Sequence, residues 1–146
     1  KNGRKPTEHV TFPETKPELI RLWDTGVIEP AHFTKFIHGH FQTNYTVWKT
    51  ATAPYNIKWF LHYEPYVIVK TNEAPLYDES FIERYFDKVS HIFHLHKAGF
   101  EFRVLPSMYI VHMPHAINKR SIDRYWKCAT KTYRAFSRKI EQLYPE

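Results

Sequence analysis

Two segments in the second half of the chain repeat apolar residues every three or four positions, which is the period of an α-helix. The first segment predicts a helix that ends near Gly99, because glycine commonly follows the last helical turn. Its apolar positions are Phe81, Tyr85, Val89, Ile92, Phe93 and His96. The second segment begins at Ser121, a typical capping residue, and predicts a long terminal helix. Its apolar face comprises Ile122, Tyr125, Trp126, Ala129, Tyr133, Phe136, Ile140 and Leu143.

Two shorter helices are predicted in the first third of the chain. Thr15 is followed three residues later by Glu18, the pattern of a capping box, and Gly26 closes the helix that this box opens. The segment 43–50 predicts another brief helix, which ends at a turn around Pro54.

Four segments are rich in strand-forming residues. Ile57–Leu61 and Tyr66–Lys70 are separated by a polar break, and the second is apolar enough to predict burial on both faces. Phe100–Leu105 alternates apolar and polar residues, and Met108–Val111 follows the turn at Pro106. Strands and helices therefore alternate, which predicts a mixed α/β layer structure. Because a doubly buried strand needs neighbours on both sides, we expect the chain to be part of a larger sheet.

The composition is that of a folded domain: 42% of the 146 residues are hydrophobic and 17% are aromatic, which excludes a disordered tail. Cys128 is the single cysteine, so a disulfide within the chain is excluded. No apolar run is long enough for a signal peptide or a membrane span, and we expect any targeting element to lie outside these residues. Asn44 opens an N-glycosylation acceptor triplet, which matters in the secretory pathway.

The formal net charge of +6 favours an anionic partner. Three classes fit: nucleic acid, a membrane surface, and a phosphorylated or carboxylated ligand. The basic residues are scattered apart from one loose run, whose spacing fits the solvated face of the terminal helix. The run comprises Lys119, Arg120, Arg124, Lys127, Lys131, Arg134, Arg138 and Lys139. A nucleic-acid binder is therefore the least favoured interpretation, and we expect no nucleic-acid partner.

Three linked motifs carry a family resemblance. They are residues 39–45 (GHFQTNY) running on to 48–55 (WKTATAPY), residues 63–69 (YEPYVIV), and residues 104–116 (VLPSMYIVHMPHA). In order and spacing they resemble the glucuronyltransferase domain of LARGE-like proteins, glycosyltransferase family 49, from about Phe12 to Tyr144.

The resemblance implies a glycosyltransferase-A fold, in which a nucleotide-binding half supplies an Asp-x-Asp pair to a manganese ion (Mn2+). The second half of such a fold supplies a histidine and the acceptor site. The 146 residues contain no Asp-x-Asp, so residues 1–146 are expected to form a single partial domain, the acceptor-side half, with a mixed sheet and flanking helices.

The activity that the resemblance implies is the inverting transfer of glucuronic acid from UDP-glucuronic acid. The expected acceptor is a xylose-bearing glycan of the O-mannosyl type on a glycoprotein. The expected location is the Golgi lumen, with a type II membrane anchor outside this segment.

Two histidines of the third motif are candidates for the metal site. His112 stands where the family motif carries its metal-binding histidine, and His115 is implied as a second contact, to the metal shell or the diphosphate. Their spacing alone would be a poor metal signature. His91, His94 and His96 also cluster in sequence, but on a helix the third turns away from the others, which favours packing or surface roles.

An inverting transfer needs a carboxylate that takes the proton of the acceptor hydroxyl. Asp78 matches a Tyr-Asp loop of the family, but it is equally suited to cap the following helix. Glu64 is the alternative base, or a group that holds an acceptor hydroxyl, and Asp87 is a third candidate.

Aromatic and basic residues are candidate substrate contacts, with packing and solvation as the alternatives. The aromatic candidates for stacking on the acceptor are Trp48, Tyr55, Trp59 and Tyr66. Lys49 or Lys70 would meet a carboxylate or phosphate of the donor.

One departure from the family pattern bears on activity. The family usually carries a Gly-x-Gly ahead of an aromatic residue, where this chain has Glu83, Arg84 and Tyr85. Bulky side chains at this place predict either a changed acceptor preference or lost activity. The competing function is therefore a non-catalytic pseudoenzyme or a glycan-binding module.

Overall fold

The computed structural model describes residues 12–32, 36–82, 85–113 and 122–145, with side chains from Tyr125 onward in the last of these ranges. Two single-turn 3-10 helices, Ile37–Gly39 and Phe41–Thr43, lie between the first two α-helices. The α-helices and strands in chain order are α1 (Lys16–Asp24), α2 (Tyr45–Thr50), β1 (Tyr55–Ile57), α3 (Asp87–Lys97), β2 (Phe102–Val104) and α4 (Ile122–Leu143).

The two short helices near the amino end are confirmed, and so is the capping box of the first. The Thr15 hydroxyl accepts the Glu18 N–H at 3.4 Å, and the Glu18 carboxylate accepts the Thr15 N–H at 3.2 Å, so both halves of the capping box are present. Gly26 has a φ of +72°, the left-handed conformation that glycine adopts without strain. The Asn44 side chain caps α2 by accepting the Val47 N–H at 3.2 Å.

β1 and β2 form an antiparallel pair in the register Tyr55↔Val104 and Ile57↔Phe102. The strand predicted at Phe100–Leu105 is confirmed in its central three residues. The strand predicted at Ile57–Leu61 begins two residues earlier and ends at Ile57 instead. Its bounds follow from the reach of β2, because residues beyond the last pair have no ladder partner in the described sheet.

The predicted strands Tyr66–Lys70 and Met108–Val111 are wrong for the part of the chain that the structure describes, since neither is assigned as a strand. Tyr66 is 66% exposed and Ile68 74% exposed, so burial on both faces is also wrong. Val67 and Val69 face the core, and exposure therefore alternates as it does along a half-buried strand. The mixture of helix and strand agrees with an α/β chain, whereas the larger mixed sheet of a glycosyltransferase-A fold stays a prediction.

Helix α3 begins at Asp87, six residues later than the apolar repeat predicts. Tyr85 and Phe86 have φ values of +82° and +62°, and two left-handed residues in succession prevent a helix from continuing through them. Phe81 lies outside the helix and still packs against Phe136 of α4, with ring centroids 5.4 Å apart.

The core surrounds α3, which is buried along most of its length. On one side Ile92 and Leu95 pack against Tyr63, and the sheet residues Ile57 and Phe102 cover this cluster. On the other side, α3 packs against α4 in a second cluster, whose buried side chains are Phe93, Phe136 and Ile140. α3 therefore holds the sheet and the 63–69 segment on one side and α4 on the other.

The terminal helix is confirmed, but its predicted buried face is only partly correct. Phe136 and Ile140 are buried, whereas Trp126 is 50% and Leu143 is 60% exposed. The predicted cap Ser121 and the Ile122 side chain lie outside the described part. The described lysines and arginines of this helix that were predicted to be solvated are exposed, as expected. Among the described helices, none is both long and apolar enough to cross a membrane.

Candidate functional site

The strongest concentration of chemistry in the described residues surrounds Glu64. The Glu64 backbone N–H donates to the Gly39 carbonyl at 3.0 Å, which ties the segment after buried Tyr63 to the loop before α2. This hydrogen bond helps to hold His40, which follows Gly39, beside a carboxylate that is 24 residues away in sequence. The site is therefore formed by a contact between two loops and not by neighbouring residues in the sequence.

The two oxygens of Glu64 face different partners. Oε1 lies 3.7 Å from Nε2 of His40, and Oε2 lies 4.0 Å from Nζ of Lys88, the second residue of α3. Both distances exceed hydrogen-bond length, so the contacts are electrostatic. The side chains of His40 and Glu64 are 12% and 20% exposed, which places this charge in a partly desolvated position.

Two further histidines extend the site. The rings of His32 and His40 stack at 5.7 Å between centroids, and His112 meets His32 edge to face at 6.4 Å. His32, His40 and Glu64 each offer one ligand atom, and these atoms lie within 4.8 Å of one another. The structure therefore brings Glu64 and His112, both predicted from the motifs, to the same region of the molecule.

The electrostatics of the site keep Glu64 ionised. Burial would raise its pKa, but the adjacent His40 and the Lys88 ammonium outweigh burial, so the pKa lies below its ordinary value. Loss of solvent around the His32 ring, and then the neighbouring His40, lower the pKa of His32. At neutral pH the site therefore pairs a carboxylate with a mostly neutral His32.

Gly39 is required by space at the base of the site. A Cβ placed on it would lie 2.7 Å from the Phe36 ring and 3.1 Å from Cγ of Glu64. Any larger residue would displace the Phe36 ring and crowd the Glu64 side chain, and this explains the glycine in the first motif.

Tyr66, one of the predicted stacking residues, shares a contact with this carboxylate through Lys88. Nζ of Lys88, which faces Glu64, also lies 4.9 Å from the centroid of the exposed Tyr66 ring. An exposed aromatic face, a cation and a carboxylate therefore line one surface, and this combination suits a sugar that needs a stacking face and a hydrogen-bond acceptor.

The structure places Asp78 in different surroundings. Its Oδ1 accepts the Ser80 N–H at 3.0 Å and also the Ser80 hydroxyl, while Oδ2 faces Nζ of Lys139 in α4 at 3.4 Å. These contacts stabilise the turn that precedes α3. The alternative that Asp78 caps the helix is wrong, because α3 begins at Asp87 and its N-cap is Phe86. Asp87, the third candidate, is the first residue of α3, and its carbonyl accepts the Ser90 hydroxyl at 2.9 Å.

We expect Asp78→Asn to lower the free energy of unfolding by about 1 kcal/mol at pH 7, as loss of a charged turn contact does. The side-chain and backbone hydrogen bonds of Ser80 lower the pKa of Asp78 from 3.8. Because the pKa of Asp78 is lower in the folded state, its ionised side chain stabilises the protein at pH values above the pKa of the unfolded state. This stabilisation is lost as the pH falls through the pKa of the folded state.

Urea unfolding of wild type and variant at pH 7 and near pH 3 tests this expectation. The difference should shrink at the lower pH. The neighbouring exposed residue supplies a matched control in Glu79→Gln, and an Asp78→Asn effect that does not change with pH would contradict the role assigned to the charge.

The other predicted aromatic residues are engaged in packing. Trp48 is 6% exposed, with Nζ of Lys16 at 4.7 Å from its ring centroid and Tyr109 against its edge. The Tyr55 hydroxyl donates to the Thr43 carbonyl at 2.5 Å, and burial, with a smaller effect of Tyr63, raises the pKa of Tyr55 to about 12. These positions favour the packing alternative.

Trp59 and the three clustered histidines also pack. Trp59 stacks on His96 at 4.4 Å, and Tyr77 stacks on His91 at 3.9 Å. His94 lies against Tyr144 of the segment that follows α4. The three histidines therefore face three different partners, as the packing interpretation predicts.

The two lysine candidates have acidic partners. Nζ of Lys49 lies 2.5 Å from the Asp24 carboxylate and 3.9 Å from the centroid of the Trp23 ring. Lys70 pairs with Glu73 on the surface at 3.1 Å. These contacts favour the structural and solvated alternatives over donor binding.

Some predicted positions lie outside the described residues: His115, Glu83 and Arg84. Of the replaced family motif, Tyr85 is described, and its ring meets Trp126 edge to face at 5.4 Å. Asn44 is exposed in its capping position, and glycosylation there stays a prediction.

Sequence reasoning missed His32, His40 and Lys88. His40 stood within the first motif, but no metal-like spacing marked it, and His32 carried no signal at all. Lys88 had only its place on a predicted helix. Their contacts with Glu64 arise across loops and from α3, so only the folded chain identifies them.

Comparison with known proteins decides the family. The sequence profile of a family described as "Glycosyl-transferase for dystroglycan" matches residues 5–145. The chain belongs to this glycosyltransferase family. The resemblance predicted from the three linked motifs is thereby confirmed.

Curated relatives agree with the family assignment. The chain is 36% identical over 140 residues to the xylosyl- and glucuronyltransferase LARGE2s of Danio rerio, covering 92% of this chain and 18% of that protein. It is 37% identical over 127 residues to human LARGE1, covering 84% and 17%, respectively. It is 36% identical over 139 residues to LARGE2 of Rattus norvegicus, covering 92% and 20%. The chain therefore spans a fifth or less of the length of these three relatives.

Proposed function

We propose that this chain provides the acceptor side of a glycosyltransferase active site. The proposed reaction moves glucuronic acid from UDP-glucuronic acid, with inversion, onto a xylose-bearing glycan of the O-mannosyl type. The observation that carries the proposal is the partly desolvated carboxylate of Glu64, held between His40 and Lys88 on the surface that includes Tyr66. The relatives named as xylosyl- and glucuronyltransferases support the class of donor.

Glu64 is assigned as the general base. Its carboxylate takes the proton of the acceptor hydroxyl while the hydroxyl oxygen bonds to the anomeric carbon of the donor sugar. Attack comes from the face opposite the diphosphate, so the bond from the anomeric carbon to UDP breaks and the configuration inverts. UDP leaves with the electron pair of that bond, and the proton remains on Glu64. The pKa of Glu64 lies below its ordinary value, so at neutral pH the carboxylate is in the ionised form that accepts a proton.

Lys88 and Tyr66 orient the reacting groups. Lys88 faces Oε2 of Glu64, which limits rotation of the carboxylate and leaves Oε1 on the side of His40. The exposed ring of Tyr66 offers a flat face for the C–H surface of an acceptor sugar. Binding and proton transfer are thus assigned to neighbouring groups of the same surface.

Mn2+ is the cofactor of the proposed reaction, with His112 as one ligand. A single neutral imidazole is able to complete a manganese site whose other ligands are carboxylates, and His112 is exposed. The carboxylates of an Asp-x-Asp pair would have to come from outside these 146 residues. When bound, the ion would neutralise the charge that develops on the departing diphosphate.

We also propose that the protein acts in the Golgi lumen, with a type II membrane anchor outside this segment. Support comes from the glycosyltransferase family and from the exposed glycosylation triplet at Asn44. Treatment with an N-glycosidase after expression in animal cells would lower the apparent mass if the triplet is used.

Sugar transfer by the longest natural form of the protein that carries these residues tests the proposal. The assay would use Mn2+, UDP-glucuronic acid or UDP-xylose as donor, and an acceptor ending in xylose or in another sugar. We expect transfer of glucuronic acid to the xylose-ended acceptor, with an inverted anomer by nuclear magnetic resonance. Inertness with every donor, together with glycan binding, would instead support the pseudoenzyme or glycan-binding module.

A further inference from the structure

His32, His40 and Glu64 form a cluster of three side chains of metal-ligating type, and His112 contacts this cluster through the His32 ring. One ligand atom from each residue lies within 4.8 Å of the others. Nε2 of His40 is buried and has no hydrogen-bond partner among the described residues, although it lies 3.7 Å from Oε1 of Glu64. A buried imidazole nitrogen of this kind ordinarily has a partner.

We propose that His32, His40 and Glu64 bind one divalent transition cation of the zinc class. Two imidazoles and one carboxylate form a ligand set that zinc accepts, with a water molecule or a further side chain in the fourth position. Imidazole nitrogen favours zinc over manganese, which prefers oxygen ligands and is the weakest binder of the divalent series. The site is therefore selective against the proposed catalytic ion.

The geometry permits this binding with small movements. Ligands of a tetrahedral zinc ion stand roughly 3.4 Å apart, given bonds of about 2.1 Å. The His40–Glu64 pair at 3.7 Å is already close to this separation. His32 is exposed, so its side chain is able to rotate toward the other two without disturbing the core.

The environment of Glu64 divides its two oxygens between two tasks. Lys88 faces Oε2 at 4.0 Å, which leaves Oε1 to bind the cation in a monodentate manner. Gly39 keeps the backbone close beneath the carboxylate, because a Cβ there would contact Cγ of Glu64 at 3.1 Å. Two of the three ligands are thereby positioned before the cation arrives.

Inhibition of sugar transfer is the expected consequence. A cation bound to Glu64 would occupy the electron pair that the base needs for the acceptor proton. Only this consequence rests on the proposed function, whereas cation binding itself does not.

Calorimetry with zinc chloride tests the site directly. The chain would carry Cys128→Ser throughout, because cysteine thiolates bind zinc and Cys128 is exposed. We expect one zinc ion per chain, weaker binding of manganese, and at least about tenfold weaker zinc binding in His32→Gln. His38→Gln, which changes an exposed histidine of the same loop outside the cluster, is the matched control and should bind as the parent does.

Equal zinc affinity in the parent and in His32→Gln would contradict the proposed site and indicate adventitious binding to other histidines. The absence of zinc binding to the parent would also contradict it. Because His32 is exposed, His32→Gln should keep the thermal unfolding temperature of the parent, and this check separates lost binding from lost folding. The transfer assay with and without zinc then addresses the consequence. Zinc binding without inhibition of transfer would support the zinc site and contradict the role of Glu64 as the general base.

Discussion

Glu64→Gln is expected to lower kcat by about 10²–10⁴-fold, the usual contribution of a general base. Glutamine has the shape of glutamate and retains an oxygen toward acceptor groups, but it does not take a proton at neutral pH. KM for the acceptor should therefore change much less than kcat, since the lost interaction belongs to the transition state. Initial rates of glucuronic acid transfer over a range of acceptor concentrations measure both quantities.

Two further variants make the Glu64 result decisive. Glu73→Gln applies the same change to an exposed glutamate that pairs with Lys70, and its rates should match wild type. Asp78→Asn tests the rival base predicted from the motif. If Asp78→Asn abolishes transfer while Glu64→Gln remains active, the base is Asp78 and the proposal is wrong in this respect. Thermal unfolding of each variant shows whether a loss of rate reflects a loss of structure.

His112→Ala is expected to produce the second large effect, a loss of metal-dependent turnover. Loss of a residue that only hydrogen-bonds to a metal ligand lowers metal affinity by about 10–100-fold. Removal of a ligand itself should therefore raise the half-saturating Mn2+ concentration at least this much. Transfer rates measured across a manganese titration, after removal of metal with a chelator, give this value. Folding should persist because His112 lies on the surface.

The matched control for this prediction is His38→Ala, another exposed histidine that lies outside the His32–His40–Glu64 cluster. Its manganese dependence should equal that of wild type. An unchanged manganese titration in His112→Ala would remove His112 from the metal site, while leaving the family assignment intact. The calorimetric zinc test does not depend on either result.

Local interactions made several elements predictable from sequence. The capping box of Thr15 and Glu18 and the left-handed Gly26 act within a few residues, and the structure has both. The apolar repeat correctly predicted α4 as a helix, because its period reflects geometry inside one element. The start of α3 was missed because left-handed Tyr85 and Phe86 are residue types for which sequence gives no warning of positive φ.

The strands were less predictable because a strand depends on its neighbour. Tyr66–Lys70 has the composition of a buried strand, yet Ile68 is 74% exposed and the segment has no ladder partner in the described sheet. β1 is short because its antiparallel register with β2 sets where pairing begins and ends. Composition indicates whether a segment is suited to form a strand, whereas hydrogen bonding to a neighbouring strand determines whether it forms one.

The amino-acid sequence by itself determined the family, through the order of three linked motifs, and it named Glu64 and His112 as candidate chemistry. Tertiary structure alone decided that Glu64 lies beside His40 and Lys88, while Asp78 stabilises a turn through Ser80. The reason is physical: motifs record which residue types are present, whereas a site is a set of distances. Those distances depend on the Gly39–Glu64 backbone bond and on the position of α3, which no local sequence pattern encodes.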